Sequence, residues 1–363
     1  MKILHVSDWV NGGLATYLET LCHAQSQQYD VMVLASQRGS ETRIVSCEGF
    51  ISLDPYSRSL RGIWHAFSTT RRTLRRYRPD ILHVHSSFAG LFARLATIGL
   101  KHKPRVIYCA HGWSFLMQGS PIKARLYGWI ERLLSYRCDA IITISSKEHH
   151  AAIAVGIEAS KLHLIEHGIA AEREPLRPYQ LEEYFTEDRF NILFLGRYDY
   201  AKGFDWLMDF IARHPYQHIR WHCAGRAVVD DVVTIPSDVV DHGWVAYNDV
   251  SQLLLLCDAV IIPSRWEGFG LSAIEAMKYA KPVIAARNGA LPELITHEKN
   301  GWLFLLEDEQ SLCVILEQLT RQRIQAYGKV GYNIFMNRYT QEKMLHHVEA
   351  LLSTLLHLHK EQS

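Results

Sequence analysis

Glu267 and Glu275 stand in the stretch Ser264-Arg265-Trp266-Glu267-Gly268-Phe269-Gly270-Leu271-Ser272-Ala273-Ile274-Glu275-Ala276-Met277. The apolar run before it, Ala259-Val260-Ile261-Ile262-Pro263, reads as a buried strand, and a helix begins near Leu271. A strand, a glycine turn and a helix N-terminus make an anion-binding corner, because free amides and the helix dipole face the same point. One acid sits on the turn and the other about one helical turn further on. Carboxylates are poor partners for phosphate but good acceptors for hydroxyls. The combination implies a ligand with phosphate in the middle and polyols at both ends, which describes a nucleotide-sugar.

A second cluster, Gly196-Arg197-Tyr198-Asp199-Tyr200-Ala201-Lys202-Gly203, follows a strand pattern from Phe190 to Leu195. The planar fork of Arg197 and the compact charge of Lys202 can reach one point from such a loop, which suits a diphosphate. Fixed cations there help most when charge builds on a departing diphosphate in the transition state. Many enzymes of nucleotide-sugars use a divalent ion for this, held by Asp-x-Asp. No Asp-x-Asp occurs in the chain, so the expectation is a site with no metal and no cofactor.

A third glycine turn, Asn11-Gly12-Gly13, follows the first strand pattern, Lys2 to Ser7. Gly12 and Gly13 would let the backbone approach a diphosphate or an acceptor. The turn lacks the G-x-G-x-x-G spacing of a dehydrogenase. His111 follows the strand pattern Arg105 to Ala110, and a residue at the C-terminal edge of a parallel strand points into the ligand crevice. His83 and His85 share one strand face by period two. Two ligands at that spacing are not a metal site, and the sequence shows no third.

A chain of 363 residues is too long for one comfortable core and suits two domains. Hydrophobic content of 48% with 21% charged residues is that of a soluble globular protein. The best apolar run, Leu253 to Ile262, is broken by Asp258 and falls short of the ~20 residues needed to span a bilayer. The chain enters its first strand directly, without the layout of a signal peptide. Seven cysteines without a C-x-x-C pair argue against a disulfide framework or a zinc knuckle. A reducing, cytoplasmic setting is expected. The first 172 residues carry 20 Lys and Arg against 13 Asp and Glu, and the remainder 19 against 25. A basic front and an acidic back imply different partners for the two parts, and nothing points to nucleic acid.

Strand patterns alternate with helical ones, which implies an α/β fold with parallel sheets and crossover helices. The expected strands are Lys2–Ser7, Asp30–Ala35, Ile81–His85, Arg105–Ala110 and Ala140–Ser145, then Asn191–Leu195, His218–Ala224, Ala259–Pro263 and Pro282–Ala286. The polar stretch Arg173-Glu174-Pro175-Leu176-Arg177-Pro178 reads as a linker.

Gly-Arg-x4-Lys-Gly, followed some sixty residues on by Glu-Gly-Phe-Gly-x4-Glu-Ala-Met, resembles the donor site of the family 4 retaining glycosyltransferases. Pro282-Val283-Ile284-Ala285, Gly289-Ala290-Leu291-Pro292-Glu293 and Asn300-Gly301-Trp302-Leu303-Phe304 continue the pattern. The resemblance covers nearly the whole chain. One departure is Ala290, where the family often has a second glycine; alanine is expected to leave the amides available. The resemblance implies the GT-B fold, two Rossmann-like domains facing each other across a cleft. The expected boundaries are 1–172 for an acceptor-binding domain, 173–340 for a nucleotide-sugar-binding domain, and 341–363 for a helix crossing back to the first. It also implies roles. Glu275 accepts hydrogen bonds from the ribose hydroxyls. Glu267 meets hydroxyls of the transferred sugar. The amides of Gly268, Phe269, Gly270 and Leu271 meet sugar and phosphate. His111 lies near the anomeric end and the 6-position of that sugar. The base pocket lies near His242-Gly243-Trp244-Val245, where backbone contacts are expected.

The first part also resembles bacterial enzymes of surface polysaccharide assembly, around Tyr108-Cys109-Ala110-His111-Gly112-Trp113-Ser114-Phe115 and Ile141-Ile142-Thr143-Ile144-Ser145. It implies transfer from a UDP-sugar to a lipid-linked saccharide, with peripheral contact at the inner membrane surface. Ser57 to Arg78 holds seven arginines and no acid, with Leu60, Trp64, Phe67, Arg71 and Leu74 at helical spacing. That pattern fits an anionic lipid surface or a helix packed on its own sheet. The aromatic loop Trp113-Ser114-Phe115-Leu116-Met117-Gln118-Gly119 reads either as a lip for a lipid-linked acceptor or as a cap on the core. Two other readings stand: a nucleotide-sugar epimerase of similar fold, and a non-catalytic nucleotide-sugar-binding protein.

Overall fold

Each strand expected from the apolar runs is present in the computed structural model, which describes residues 1–117, 119–173, 182–227, 233–245 and 247–360. The chain divides into two units, residues 1–169 with the segment from Gln341 onward, and Ala170–Thr340. The expected linker falls mostly on residues 174–178, outside the described residues. Arg173 before it belongs to the second unit, where its guanidinium donates to the Lys278 carbonyl at 3.1 Å.

The first unit runs β1 (Lys2–Val6), α1 (Gly13–Ser26), β2 (Asp30–Ala35), α2 (Thr42–Val45), β3 (Phe50–Ser52), α3 (Leu60–Tyr77), β4 (Ile81–His85), α4 (Ser87–Ala96), β5 (Arg105–Cys109), α5 (Pro121–Ser135), β6 (Ala140–Thr143), α6 (Ser146–Ala154) and β7 (Leu162–Leu164). Its seven strands are all parallel, in the order β3-β2-β1-β4-β5-β6-β7. The direction of winding reverses between β1 and β4, and ligand crevices of doubly wound sheets open at such a switch point. Right-handed crossovers put α3, α4 and α5 on one face of this sheet and α1 on the other.

The second unit runs β8 (Phe190–Leu195), α7 (Phe204–Arg213), β9 (Ile219–Ala224), β10 (Val239–Asp241), α8 (Tyr247–Leu256), β11 (Ala259–Ile262), α9 (Leu271–Lys278), β12 (Val283–Ala286), α10 (Leu291–Leu294), β13 (Gly301–Phe304), α11 (Glu309–Glu317) and α12 (Arg321–Arg338). Its sheet is parallel, in the order β10-β9-β8-β11-β12-β13. The switch point lies between β8 and β11, the two strands that carry the Arg/Lys loop and the glutamate loop. A last helix, α13 (Gln341–Lys360), closes the first unit. There the Gln341 amide donates to the Ile169 carbonyl at 2.9 Å and Tyr29 Oη to Glu349 at 3.1 Å.

Central strands such as β4, β11 and β12 are buried along their whole length, as parallel strands covered on both faces must be. β3, β7, β10 and β13 are absent from the expected strands. They are edge strands of three or four residues, too short for an apolar period to register.

Two polar features lie inside the first unit's core. Arg94 on α4 is fully buried and donates to Glu131 Oε2 on α5 at 2.6 Å and to the Gly90 carbonyl at 2.6 Å. Its guanidinium stacks over Tyr108 at 3.9 Å, and Tyr108 Oη completes the set by donating to Glu131 at 2.9 Å. On the opposite face of the sheet from this cluster lie His5, His83 and His85, and with His167 they are all buried. Burial holds these imidazoles neutral. It lowers His5 to about 4 and His167 to about 3, and it lowers His83, His85 and His111 well below the ordinary value.

Two outcomes follow. Glu131→Ala strands the buried Arg94 charge and is expected to cost about 3–5 kcal/mol in urea unfolding, whereas loss of the exposed Arg72 costs under about 0.5 kcal/mol. The depressed histidines bind protons only in the unfolded chain, so stability is intact above pH 6.5 and falls as pH drops from 6.5 toward 4. The slope is about 1.4 kcal/mol per pH unit for each such histidine. Urea unfolding at stepped pH reads it, and a flat profile between pH 7 and 5 contradicts the neutral core.

Candidate active site

The Arg/Lys loop and the glutamate loop are packed backbone against backbone. Gly203, at φ 71°, is the N-cap of α7, and a β-carbon there would lie 2.0 Å from the Pro263 carbonyl oxygen. Gly289, at φ 60°, brings the loop after β12 equally close to Glu267, whose carbonyl oxygen would be 2.1 Å from a β-carbon. Only glycine combines that φ with that approach. The Ala290 amide, which the sequence left available, instead donates to the same Glu267 carbonyl at 3.0 Å.

These contacts bring Arg197, Lys202 and Glu267 into one network. Lys202 Nζ donates to Glu267 Oε2 at 2.6 Å, and Ser264 Oγ donates to the same oxygen at 3.3 Å. Asp199 joins the two cations: one carboxylate oxygen lies 3.0 Å from Arg197 Nη2 and the other accepts from the Lys202 amide at 2.8 Å. Arg197 is half exposed and the Lys202–Glu267 pair is mostly covered. Arg265 ties the loops a second time, donating to Asp205 at 2.5 and 2.8 Å and to the Tyr200 carbonyl at 2.8 Å. Asp199 and Arg265 were not singled out in the sequence, because both look like ordinary loop charges until the loops are adjacent.

Gly268 and the buried Phe269 and Gly270 lead into α9, which starts at Leu271 and has no side-chain cap. Glu275 sits one turn in, half buried. In the expected base pocket, both main-chain groups of Gly243 are engaged. Its amide donates to Asp241 at 2.8 Å, and its carbonyl accepts from the Gly225 amide at 2.8 Å. The Gly243 amide is thus already spent, whereas its carbonyl keeps a second lone pair. Trp244 is exposed, with the Arg226 guanidinium 4.4 Å from its ring centre, and Val245 is half buried.

In the first unit, Gly12 caps α1 and Gly13 begins it. The Gly12 amide donates to Glu41 Oε1 at 2.6 Å, so a carboxylate holds the place where an anion was expected. His111 stands inside an unbroken line of imidazoles that runs from Gln25 to His167. Gln25 Oε1 lies 2.9 Å from His5 Nε2, His5 Nδ1 3.1 Å from His85 Nε2, His85 Nδ1 3.1 Å from His111 Nε2, and His111 Nδ1 3.4 Å from His167 Nε2. With the Gln25 amide oxygen facing His5, that oxygen only accepts, and the consistent assignment has His5 donating from Nε2. Each following neutral ring is then also protonated on Nε2 and donates toward Gln25. His111, at φ 54°, thus has both ring nitrogens engaged inside its own unit.

The reading of His83 and His85 as a pair without a third is corrected. The register of β1 against β4 places His5 opposite His83, and ring nitrogens of His5, His83 and His85 come within 4.8 Å of one another. Strand order, invisible in one sequence, creates this cluster. The hydrogen bonds from Gln25 to His5 to His85 engage nitrogens of His5 and His85, while His83 Nε2 is buried with no hydrogen-bond partner among the described residues. The aromatic loop is a cap on the core: Trp113 and Phe115 are buried, and Trp113 donates from its amide and Nε1 to Glu148, both at 3.2 Å. Of that loop only Met117 among the large apolar residues is exposed, and Gln118 lies outside the described residues. The α3 stripe divides: Leu74 is buried and Phe67 packs on the core, while Leu60 and Trp64 are exposed.

Comparison with known proteins covers both units. Residues 11–173 match Glycosyltransferase Family 4, and residues 189–322 match Glycosyl transferases group 1. An uncharacterized 41.2 kDa protein in the cps region of Klebsiella pneumoniae is 31% identical, over 88% of this chain and 90% of its own. The UDP-Gal:alpha-D-GlcNAc-diphosphoundecaprenol alpha-1,3-galactosyltransferase of Escherichia coli is 21% identical over 89% of each chain. Anabaena Alr3699/HepE, solved in complex with UDP and glucose, superposes with a TM-score of 0.82 at 21% identity, over 97% of this chain and 99% of that one. The chain belongs to the family 4, group 1 glycosyltransferases, and its two units are those of the GT-B fold.

Proposed function

We propose that this glycosyltransferase moves a sugar from a UDP-sugar to a hydroxyl of a lipid-linked saccharide, with retention and without a metal ion, in the assembly of a surface polysaccharide. The observation that carries the reading is the network Arg197–Asp199–Lys202–Glu267 beside the uncapped N-terminus of α9. It places two cations and a set of amides at a corner that fits a diphosphate, with acids on either side for hydroxyls. The named activity of the E. coli relative and the UDP bound by the Anabaena protein favour a UDP-sugar. The position of the Klebsiella relative in a cps region favours polysaccharide assembly.

In this reading the diphosphate sits against Arg197, Lys202 and the amides of Gly268 to Leu271. Glu275 takes the ribose hydroxyls and Glu267 those of the sugar. The bond from the anomeric carbon to the β-phosphate oxygen breaks, the acceptor oxygen bonds to that carbon on the same face, and the acceptor's proton passes to the departing phosphate oxygen. The cations stabilise charge as it grows on the diphosphate. With both ring nitrogens held by neighbours, His111 acts as a fixed neutral ring and not as the base. Gly12 and Gly13 keep their assignment to diphosphate or acceptor, after displacement of Glu41.

Arg197→Ala and Lys202→Ala are each expected to lower kcat by about 10²–10³, the usual cost of losing one group that stabilises transition-state charge. The assay pairs UDP-sugars with a polyprenyl-diphosphate saccharide. Near-parental rates in both variants would sink the assigned roles. The product keeps the donor's anomeric configuration by NMR, and chelator leaves the rate unchanged. Donor alone gives at most slow hydrolysis; a new sugar nucleotide would favour the epimerase reading.

A further inference from the structure

Helix α5 is amphipathic in the opposite sense to an ordinary surface helix. Its inward face is small and polar: Gly128, Glu131 and Ser135 are buried with Leu134, and Glu131 is fixed by Arg94. Its outward face carries Ile122, Leu126, Trp129, Leu133 and Tyr136 at alternating steps of four and three residues, 78%, 51%, 61%, 52% and 67% exposed. The stripe therefore runs the full length of one side of the helix, and no element among the described residues covers it.

The charges around the stripe have one sign. Lys123, Arg125, Arg132 and Arg137 are exposed on and just after the helix, and its single acid, Glu131, is consumed in the core. On the same face of the sheet, α3 adds exposed Leu60 and Trp64 with exposed Arg61, Arg72, Arg75 and Arg76, and it carries no acid either. A symmetric contact with a second copy would set the same cations against one another. An acidic protein would satisfy the charges, but the stripe lies on the outside of a helix and offers no groove for side chains. A lipid surface satisfies both features. Acyl chains take Ile122, Leu126 and Leu133, the interfacial zone suits Trp129 and Tyr136, and anionic headgroups meet the flanking cations.

We propose that the α5 face is the docking surface of this protein for an anionic phospholipid bilayer, with the helix lying in the plane of the interface. The proposal deepens the lipid-linked-acceptor reading but does not need it to be true, because docking is measured without donor or acceptor. No helix among the described residues is long and apolar enough to cross a membrane, so attachment of this kind is peripheral.

The test is co-sedimentation of the full chain with vesicles of phosphatidylcholine alone or with roughly one-third phosphatidylglycerol. The expected result is binding to the anionic vesicles only, weakened at about 0.5 M salt, where the Debye length shrinks to about 4 Å. The pair Trp129→Ser and Leu133→Ser should lower vesicle affinity at least about tenfold while leaving the circular dichroism spectrum unchanged. A second variant, Lys123→Glu with Arg125→Glu, leaves the apolar stripe intact and should abolish the preference for anionic lipid. Failure of the parent to bind anionic vesicles overturns the proposal, as does parental binding by both variants. A parent dimer in light scattering that becomes monomeric with Trp129→Ser overturns it in favour of self-association. Loss of transferase activity with vesicle binding intact would count against the catalytic reading alone.

Discussion

The carbonyl oxygen of Pro263 occupies the space of a β-carbon on residue 203, and the carbonyl of Glu267 occupies that of one on residue 289. These two approaches decide where the ends of β8, β11 and β12 can go, and the chemistry of the second unit follows from them. Lys202 and Glu267 lie 65 residues apart in sequence, yet their charged atoms meet at 2.6 Å because the loops that carry them share backbone contacts. A cation held this way needs little reorganisation when charge develops beside it, which is the source of most electrostatic catalysis. Glu267 also needs only one of the three protons on Lys202, which leaves the other two for further acceptors.

Ionisable groups are treated in two ways, illustrated by one site in each unit. The second gathers Arg197, Asp199, Lys202 and Glu267 at a partly open corner, where ions keep some solvent. The first buries its histidines in line, where desolvation removes their charge and hydrogen bonds fix their tautomers. The direction of that line is set far from His111, by the amide of Gln25 on α1. That line ties His111 to a neighbour on each side, although Gln25 Nε2 at its start is buried with no hydrogen-bond partner among the described residues. It holds the end of β5 in a left-handed turn at His111 that a non-glycine residue adopts only when its surroundings impose it.

Much of this was legible in the residues. The strands Ile81–His85 and Ala259–Ile262 announced themselves because parallel strands buried on both faces are apolar throughout. The glycine-rich turns before α7 and α9 were legible as places of close backbone approach, and Gly203 and Gly270 do adopt positive φ there. What escaped was everything that depends on strand order. His5 joins His83 only through the pairing of β1 with β4. Asp199 and Arg265 became structural ties only once their loops were neighbours. The aromatic residues divided in another way. Of the two readings of the loop at Trp113 and Phe115, acceptor lip or core cap, burial selects the cap, while Trp129, which was not singled out, is exposed. Composition alone does not reveal which side of a helix is pinned, and here a single buried acid, Glu131, decides it.

The path of the chain through its last helix has its own consequence. The main chain leaves the first unit after Ile169 and re-enters it at Gln341, and these two residues are joined by one hydrogen bond of 2.9 Å. The second unit is thus an insertion, spliced into its host at a single doorway. Its two ends are adjacent, so the segment Ala170–Thr340 could be excised and closed by a short peptide without unravelling either sheet. Trimming the C-terminus, by contrast, would damage the part of the protein that is farthest away in sequence.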